Sequence, residues 1–426
     1  MKSLKKTIRY IWHIIALLLI PLRYAIYCTR FQKHLHITAE VAEEKLSAIL
    51  PDKGQTCLCN NSIAPAYDLH IIVPVYNTAP YLKQCLDSIF LQETEFSIFV
   101  SIVDDGSTDN SPALLDDYHA SLQGSSHYSN TEIIHQTNQG PSAARNVALR
   151  NIRGRYIMFV DSDDMLMPGA IQSLMRAATI SGADISEGNF GCNIAHGFAW
   201  GKVYRSELFR NVHFPPGYWF EDTLNIFYLY PLSRRIVQVP GTHYYYRPNP
   251  NSIMHSFQGN ARVVDSLWVS RRVLSDYFSQ GHKAKPKLLR SYLQDILSTA
   301  SHFHTLKNEQ AMQALFIIHC DIFHEYFAGY VNDNSSGTSL PLLLKCAGRS
   351  LSKADYRLFR AITESICPPT LPAETSTASG TLWLPSQHHG ACRHTPCSAF
   401  SALASVQDVA PAVPTGHTHY PHWVPH

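Results

Sequence analysis

A chain of 426 residues, 45% hydrophobic and 16% charged, has the makeup of a globular protein with room for two or three domains and a full-sized core. A net charge of +2 carries no basic surplus, so no nucleic-acid partner is expected. Ten cysteines without a framework of paired spacings, in a chain this long, read as scattered thiols of a reducing compartment. Cys57-Leu58-Cys59, and the set Cys392, His394 and Cys397, each lack the second knuckle usual for structural zinc.

In chain order, Lys2, Lys5, Lys6, Arg9, Arg23, Arg30 and Lys33 all precede the first acid, Glu40. Between them runs "IWHIIALLLIPL" (Ile11 to Leu22). As a helix it would be about 18 Å long, short of the roughly 30 Å hydrocarbon core of a bilayer. Pro21 and Arg23 oppose extending it. Lys2, Lys5, Lys6, Arg9 and His13 fall three or four apart, on one helical face. That pattern suits a helix lying in the interface of an anionic membrane. Residues 1–33 are therefore expected to associate with a membrane surface at its cytoplasmic face, peripherally or as an N-terminal anchor. The alternative is an amphipathic helix docked on its own domain. Residues 34–66 read as a linker.

From residue 67 the pattern sharpens. "LHIIVPV" (Leu69 to Val75) reads as a buried strand, and Leu82, Cys85, Leu86 and Ile89 follow at helical spacing. "FSIFVSIV" (Phe96 to Val103) is a second strand, ended by "DDGSTD", with a helix from Ser111. "TEIIHQ" is a short third strand. "GPSAARNVALR" is helical, with Pro141 near its first turn. "YIMFV" (Tyr156 to Val160) is a fourth strand. Near-continuous apolar strands alternating with helices predict an α/β domain, residues 67–260, on a mostly parallel sheet covered on both faces. Residues 261–366 carry helical periodicity, from Leu288 through Ala300 and again in "ALFIIHCDIFHEYF", and predict a helical subdomain. Residues 367–426, rich in Pro, Ser, Thr, Ala and His and without lysine, read as a low-complexity, disordered tail.

The fourth strand ends in three carboxylates within four positions, Asp161, Asp163 and Asp164. Like charges that close raise each other's pKa and repel, a cost that a cation or a polar ligand relieves. A helix-capping acidic turn is the plain alternative. The other polar motifs also follow strands: "YN", "DDGSTD" and "NQG". In open α/β sheets, ligands bind at the carboxyl ends of strands.

"IVPVYN", "VDDGSTD", "NQGPSAARN" and "FVDSDD", in that order, resemble family 2 inverting glycosyltransferases of the GT-A fold. The likeness is strong from Leu69 to Ile180 and resumes at "WGKVYRSELF", "FEDTLN" and "YYYRPNPNSI". The resemblance implies a Rossmann-like GT-A domain and a nucleotide-sugar donor, taken as a UDP-sugar. It implies Mn²⁺ or Mg²⁺ as cofactor and a polysaccharide or glycolipid hydroxyl as acceptor. It makes Asp163 a metal ligand, with Asp161 on the ribose or the metal's water shell and Asp164 a less defined third. Asp105 would accept the ring N–H of the base, with Asp104 supporting it. Pro74, Tyr76 and Asn77 would line the base pocket. Arg145 either faces the phosphates or is a solvated helix charge. Of the pair Glu221-Asp222, Asp222 would be the general base and Glu221 would orient it. Lys202 is structural or touches a substrate, and Arg247 closes over the diphosphate. One departure stands out: the stretch from Asp164 to Trp200 is short for the family. It abbreviates the acceptor side, with Glu187 as an alternative base there. It keeps open a non-catalytic nucleotide-sugar-binding or scaffold protein. A nucleotidyltransferase ranks last, because "PVYNTAPYLK" lacks a glycine-rich basic phosphate loop.

Overall fold

The computed structural model describes residues 18–125, 130–191, 193–249, 259–330 and 340–366. They fall into two compact units, one of residues 53–249 and 269–282, the other of 18–52, 259–268 and 283–366. The N-terminal residues 1–17 and the tail 367–426, expected as membrane-associating and disordered, lie outside the described residues.

The strands of the larger unit, in chain order, are β1 (Ser62–Val75), β2 (Ile98–Asp104), β3 (Thr131–His135), β4 (Asn151–Phe159), β5 (Met165–Leu166), β6 (Ile185–Glu187), β7 (Asn189–Phe190), β8 (Asn193–Ile194), β9 (Lys202–Arg205), β10 (Ile236–Gln238) and β11 (Tyr244–Tyr245). Seven of them form one sheet in the order β10-β6-β9-β4-β1-β2-β3. The pairings β4-β1-β2-β3 are parallel, as are β10 and β6, while β9 runs antiparallel to both its neighbours. The mixed α/β architecture read from the sequence is thus present. The interior strand β1 buries successive residues, Leu69, Ile71, Ile72 and Val73, on both faces. One face packs on Leu82, Cys85, Leu86 and Ile89 of the helix Ala79–Phe90. That helix, Ser111–Ser121 and Pro141–Leu149 each carry a proline in the first turn, where its missing N–H is not needed. After β3 the chain crosses to the other side of β1 to lay down β4. The strand order reverses between β1 and β4, and in open α/β sheets such a reversal marks the crevice at the strands' carboxyl ends as the place for a ligand. A second sheet, β5-β11-β7-β8, stands beside that edge; its strands of two residues each leave no periodic trace in the sequence.

Gly154 of β4 lies beside the irregularity that separates the two paired stretches of β1 and β4. A Cβ there would meet His70 N at 2.3 Å, Tyr156 O at 2.5 Å and the Leu69 carbonyl carbon at 2.7 Å. All three are backbone atoms and cannot rotate away. Gly154→Ala is expected to cost about 3 kcal/mol, the upper end for overpacking, and to lower Tm by roughly 6 °C or more. Gly329→Ala, where a Cβ meets nothing within 4 Å, is the control, with little change expected in the same thermal unfolding assay.

Two boundaries differ from the sequence reading. Residues 34–66 are not simply a linker: they hold the helix Ala39–Ser47 and the start of β1 at Ser62. Thr38 Oγ1 accepts from Val41 N at 3.4 Å, and Ala42 and Leu46 are buried. The helix is dense in charge and buries few residues, which left its periodicity faint. The region 261–366 is helical, but it does not form a unit by itself. Residues 269–282 group with the sheet, where Asp276 Oδ2 accepts from Thr56 Oγ1 (2.8 Å) and Cys57 N (2.7 Å). Residues 18–52 group with the remaining helices, Pro286–His304, Glu309–Tyr326, Leu342–Ser352 and Tyr356–Ile366. Residues 18–30 are helical there and bury Ile20 and Tyr27. Tyr24 Oη donates to Asp355 Oδ2 at 3.1 Å, and Tyr27 bonds Glu364. Leu18, Leu22 and Ile26, one turn apart, stay 71%, 59% and 45% exposed. No helix among the described residues is long and apolar enough to cross a membrane.

Candidate active site

The "DDG" and "NQG" loops clamp each other at the ends of β2 and β3. Asp104 lies opposite both Val75 and His135 in register. Its Oδ1 accepts from Ser107 N (3.0 Å) and its Oδ2 contacts His135 Nδ1 (3.0 Å), so it caps the turn. That contact raises the His135 pKa. Asp105 is buried, and its Oδ1 accepts from Gln136 Nε2 (2.6 Å) and Gln139 N (2.9 Å), its Oδ2 from Gly140 N (2.7 Å). One lone pair of Oδ2 is left for a further donor. Gly106 has φ +69°, and a Cβ there would meet Asn138 N at 2.7 Å, so the loops approach too closely for any side chain.

At the end of β1, Pro74 is buried and Tyr76 is 48% exposed. Asn77 takes φ +52°, and its Oδ1 accepts from Thr108 N (2.7 Å) and Asp109 N (3.2 Å). It therefore organises the loop after β2 as well as bordering the crevice.

The acids after β4 sit on a turn tied down from every side. Asp161 N donates to Tyr244 Oη (3.1 Å), and Thr78 Oγ1 donates to Ser162 Oγ (3.0 Å). Arg247 gives its backbone N–H to Asp164 Oδ1 (2.8 Å) and its Nε to the Asp163 carbonyl (2.8 Å), and stacks 5.0 Å over Tyr81. Asp163 Oδ2 accepts from Asn249 Nδ2 at 2.8 Å. Burial raises the Asp163 pKa, and burial followed by the charge of Asp161 pushes Asp164 up to about 8. Asp164 Oδ2 is buried, with no hydrogen-bond partner within ordinary geometry among the described residues. The turn thus opposes full ionisation of its acids, a cost that a cation would relieve.

Arg145 changes the reading most. It is 4% exposed, so it is no solvated helix charge. Its two terminal nitrogens donate to Asp161 Oδ1 (2.9 Å) and Glu221 Oε1 (2.6 Å), and the cation lies 5.3 Å over the Phe214 ring. Burial opposes its charge, but Asp161, then Glu221, then Asp222 hold its pKa above the usual value. Arg145 thereby joins the carboxylates after β4 to the "ED" pair, 60 residues later in the chain. Asp222 Oδ1 accepts from Ala199 N at 3.0 Å. Its pKa is raised, first by burial and then by Glu221. The pair precedes a π-helical turn, Asn225–Leu229, a distortion frequent at functional sites.

Sequence reasoning missed one cluster. Lys202 Nζ lies 3.2 Å from Glu187 Oε1, with the side chains 0% and 1% exposed, and Tyr230 Oη bonds both. The two charges are direct cross-strand partners on β6 and β9. Lys202 of "GKVYR" and Glu187 each stood out separately, Glu187 as an alternative base; nothing local marks them as partners or points to Tyr230.

Cys57 and Cys59 are free thiols. Among the described residues, no group of three or more His, Cys, Asp or Glu is gathered to hold a metal. Asp161 and Asp163 each engage one carboxylate oxygen with a side chain, and the second is bonded to no other described side chain. Two such carboxylates fit Mg²⁺ or Mn²⁺, which take one or two protein carboxylates and complete their shell with substrate phosphates and water.

Comparison with known proteins bears on the same residues. The family model described as glycosyl transferase family 2 matches residues 70–235. Glycosyltransferase GlyG of Streptococcus pneumoniae serotype 4 is 27% identical over 289 residues, 58% of this chain and 94% of that protein. Glycosyltransferase GlyA of the same organism is 31% identical over 241 residues, 47% of this chain but only 32% of that longer protein. The crystal structure of S. aureus TarS in complex with UDP aligns over 70% of this chain and 90% of that one, at 18% identity and a TM-score of 0.40. With the motifs at the strand ends and the match across them, the chain is a glycosyltransferase carrying a family 2 domain over residues 70–235.

Proposed function

We propose that this glycosyltransferase works by inversion with the help of a divalent cation. It moves a sugar from a nucleotide-sugar, taken as a UDP-sugar, to a hydroxyl of a polysaccharide or glycolipid. The observation that carries this reading is Arg145, which ties the donor-side acid Asp161 to Glu221, next to Asp222. Donor and acceptor machinery then meet in one crevice. In the reaction the acceptor oxygen attacks the anomeric carbon. The bond from that carbon to the diphosphate oxygen breaks, its electron pair leaves with the nucleoside diphosphate, and the hydroxyl proton passes to the Asp222 carboxylate. Glu221, fixed by Arg145, orients Asp222. Asp161 and Asp163 would hold Mn²⁺ or Mg²⁺, which when bound offsets the charge that grows on the diphosphate. Pro74, Tyr76, Asn77 and the free lone pair of Asp105 face the base, and Asp104 keeps that loop in shape. A panel of nucleotide-sugars, assayed for metal-dependent release of nucleoside diphosphate and for protection against unfolding, tests the reading. Turnover of none of them would leave the chain a binding protein.

The division of labour proposed with it is a catalytic domain on the seven-stranded sheet and a helical unit that meets a membrane at the cytoplasmic face. Leu18, Leu22 and Ile26 form an exposed apolar stripe whose helix is held from its other side by Ile20 and Tyr27. Lys2, Lys5, Lys6 and Arg9 precede it and Arg23 lies within it. Such a face suits an anionic bilayer surface. Replacing Leu18, Leu22 and Ile26 together by serine is expected to weaken flotation with anionic phosphatidylglycerol vesicles by roughly ten-fold or more, with thermal stability unchanged. Unaltered flotation would remove the stripe from the membrane contact.

A further inference from the structure

We propose that the buried Glu187–Lys202 ion pair, together with Tyr230, is a positioning device that sets the placement of Asp222. This inference rests on Asp222 being the base. Burying two opposite charges is a poor route to stability, since well-packed apolar residues in their place are often as stable or more so. The pair therefore calls for another explanation, and its hydrogen bonds lead to one. Lys202 Nζ donates to Tyr230 Oη (2.5 Å), which donates in turn to Glu187 Oε1 (2.5 Å). Tyr230 Oη also accepts from Gly197 N at 3.0 Å. The hydroxyl then accepts two bonds and donates one, which uses its full capacity and fixes its proton toward Glu187. The Gly197 carbonyl accepts from Asn225 Nδ2 (3.0 Å), whose Oδ1 takes the Tyr204 hydroxyl (2.8 Å). Gly197 has φ +89°, a conformation open to glycine, so the turn it forms is specified by sequence as well as by bonds. Two residues on, Ala199 N grips Asp222 Oδ1 at 3.0 Å.

The chain of contacts runs without a break from a cross-strand charge pair to the carboxylate. His196 closes its outer end: its ring stacks on Tyr230 with centroids 4.6 Å apart, and Nδ1 lies 3.3 Å from both Glu187 oxygens. The charged groups that act on Asp222 itself are Glu221, Arg145, Asp161 and Lys202. Losing Lys202, or letting the 196–199 turn shift, should move both the position of Asp222 and its proton affinity.

The experiment compares two variants that break the device differently. Tyr230→Phe keeps the ring and the ion pair but removes the hydroxyl that holds Gly197. The double replacement of Glu187 by Leu and Lys202 by Met removes both charges and leaves no unpaired ion. Each is measured for affinity to UDP with Mn²⁺, for turnover of the best donor in the panel, and for the pH–rate profile. Both are expected to bind UDP within a few-fold of wild type, to lose roughly ten- to a hundred-fold in kcat, and to shift the acid limb of the profile. Placed in an Asp222→Asn background, Tyr230→Phe is expected to cost nothing further, because both changes act through one group. A slow Asp222→Asn enzyme alongside wild-type rates and profiles for the other two would overturn the positioning role and leave the base standing. A full additional loss in the Asp222→Asn background would also overturn it. A wild-type rate for Asp222→Asn would instead remove the base reading on which it rests.

Discussion

Asp222→Asn is expected to slow sugar transfer by roughly 10² to 10⁴, the usual worth of a positioned general base. Asparagine keeps the size of the side chain, and its Oδ1 still accepts from the Ala199 amide. It cannot take the acceptor's proton. UDP affinity should stay within a few-fold, because the proposed donor contacts run through Asp105, Asp161 and Asp163. The pH profile gives a second signature. The base works only when ionised, and burial and Glu221 raise its pKa. Transfer should therefore fall as pH drops through a limb above the ordinary carboxylate value of about 4, and Asp222→Asn should lack that limb. Glu221→Gln is expected to cost less, since it keeps an oxygen for Arg145 and loses only charge. If Glu221→Gln is dead and Asp222→Asn nearly normal, the two roles are reversed.

Asp163→Ala is expected to abolish metal-stimulated turnover, a loss of at least about 10² in rate. The fold should survive. Asp163 gives up one hydrogen bond, from Asn249, and its removal relieves repulsion in a turn that already pushes Asp164 up to about 8. Thermal stability without metal should thus be equal to wild type or slightly higher, while the rise in Tm on adding Mn²⁺ with UDP should shrink or vanish. Full metal-dependent activity in Asp163→Ala would remove it from the metal site.

The sheet was legible because its strands carry local signals. Leu69 to Val75 and Tyr156 to Val160 are apolar runs too short for helices, and prolines at the starts of the intervening helices mark the boundaries. The acids were legible because like charges crowd at the end of such a run. What escaped depends on pairing across the chain. Nothing near Arg145 says that its guanidinium is buried between Asp161 and Glu221, and a helix with alternating small residues around one arginine looks like a solvated face. Glu187 and Lys202 meet only because β6 and β9 are antiparallel neighbours, a register fixed by the whole sheet. Tyr230 joins them through a π-helical turn that periodicity does not announce. The early part of β1 hid behind Pro65 and partly exposed residues, which weaken the strand pattern.

The most direct test of the account is the anomeric configuration of the first product, read by NMR as it forms from the donor that the panel selects. A single displacement with Asp222 drawing the acceptor proton gives a linkage opposite in configuration to the sugar–diphosphate bond of the donor. A product with the donor's configuration would require two displacements or a front-side path, and would contradict the mechanism built on Asp222.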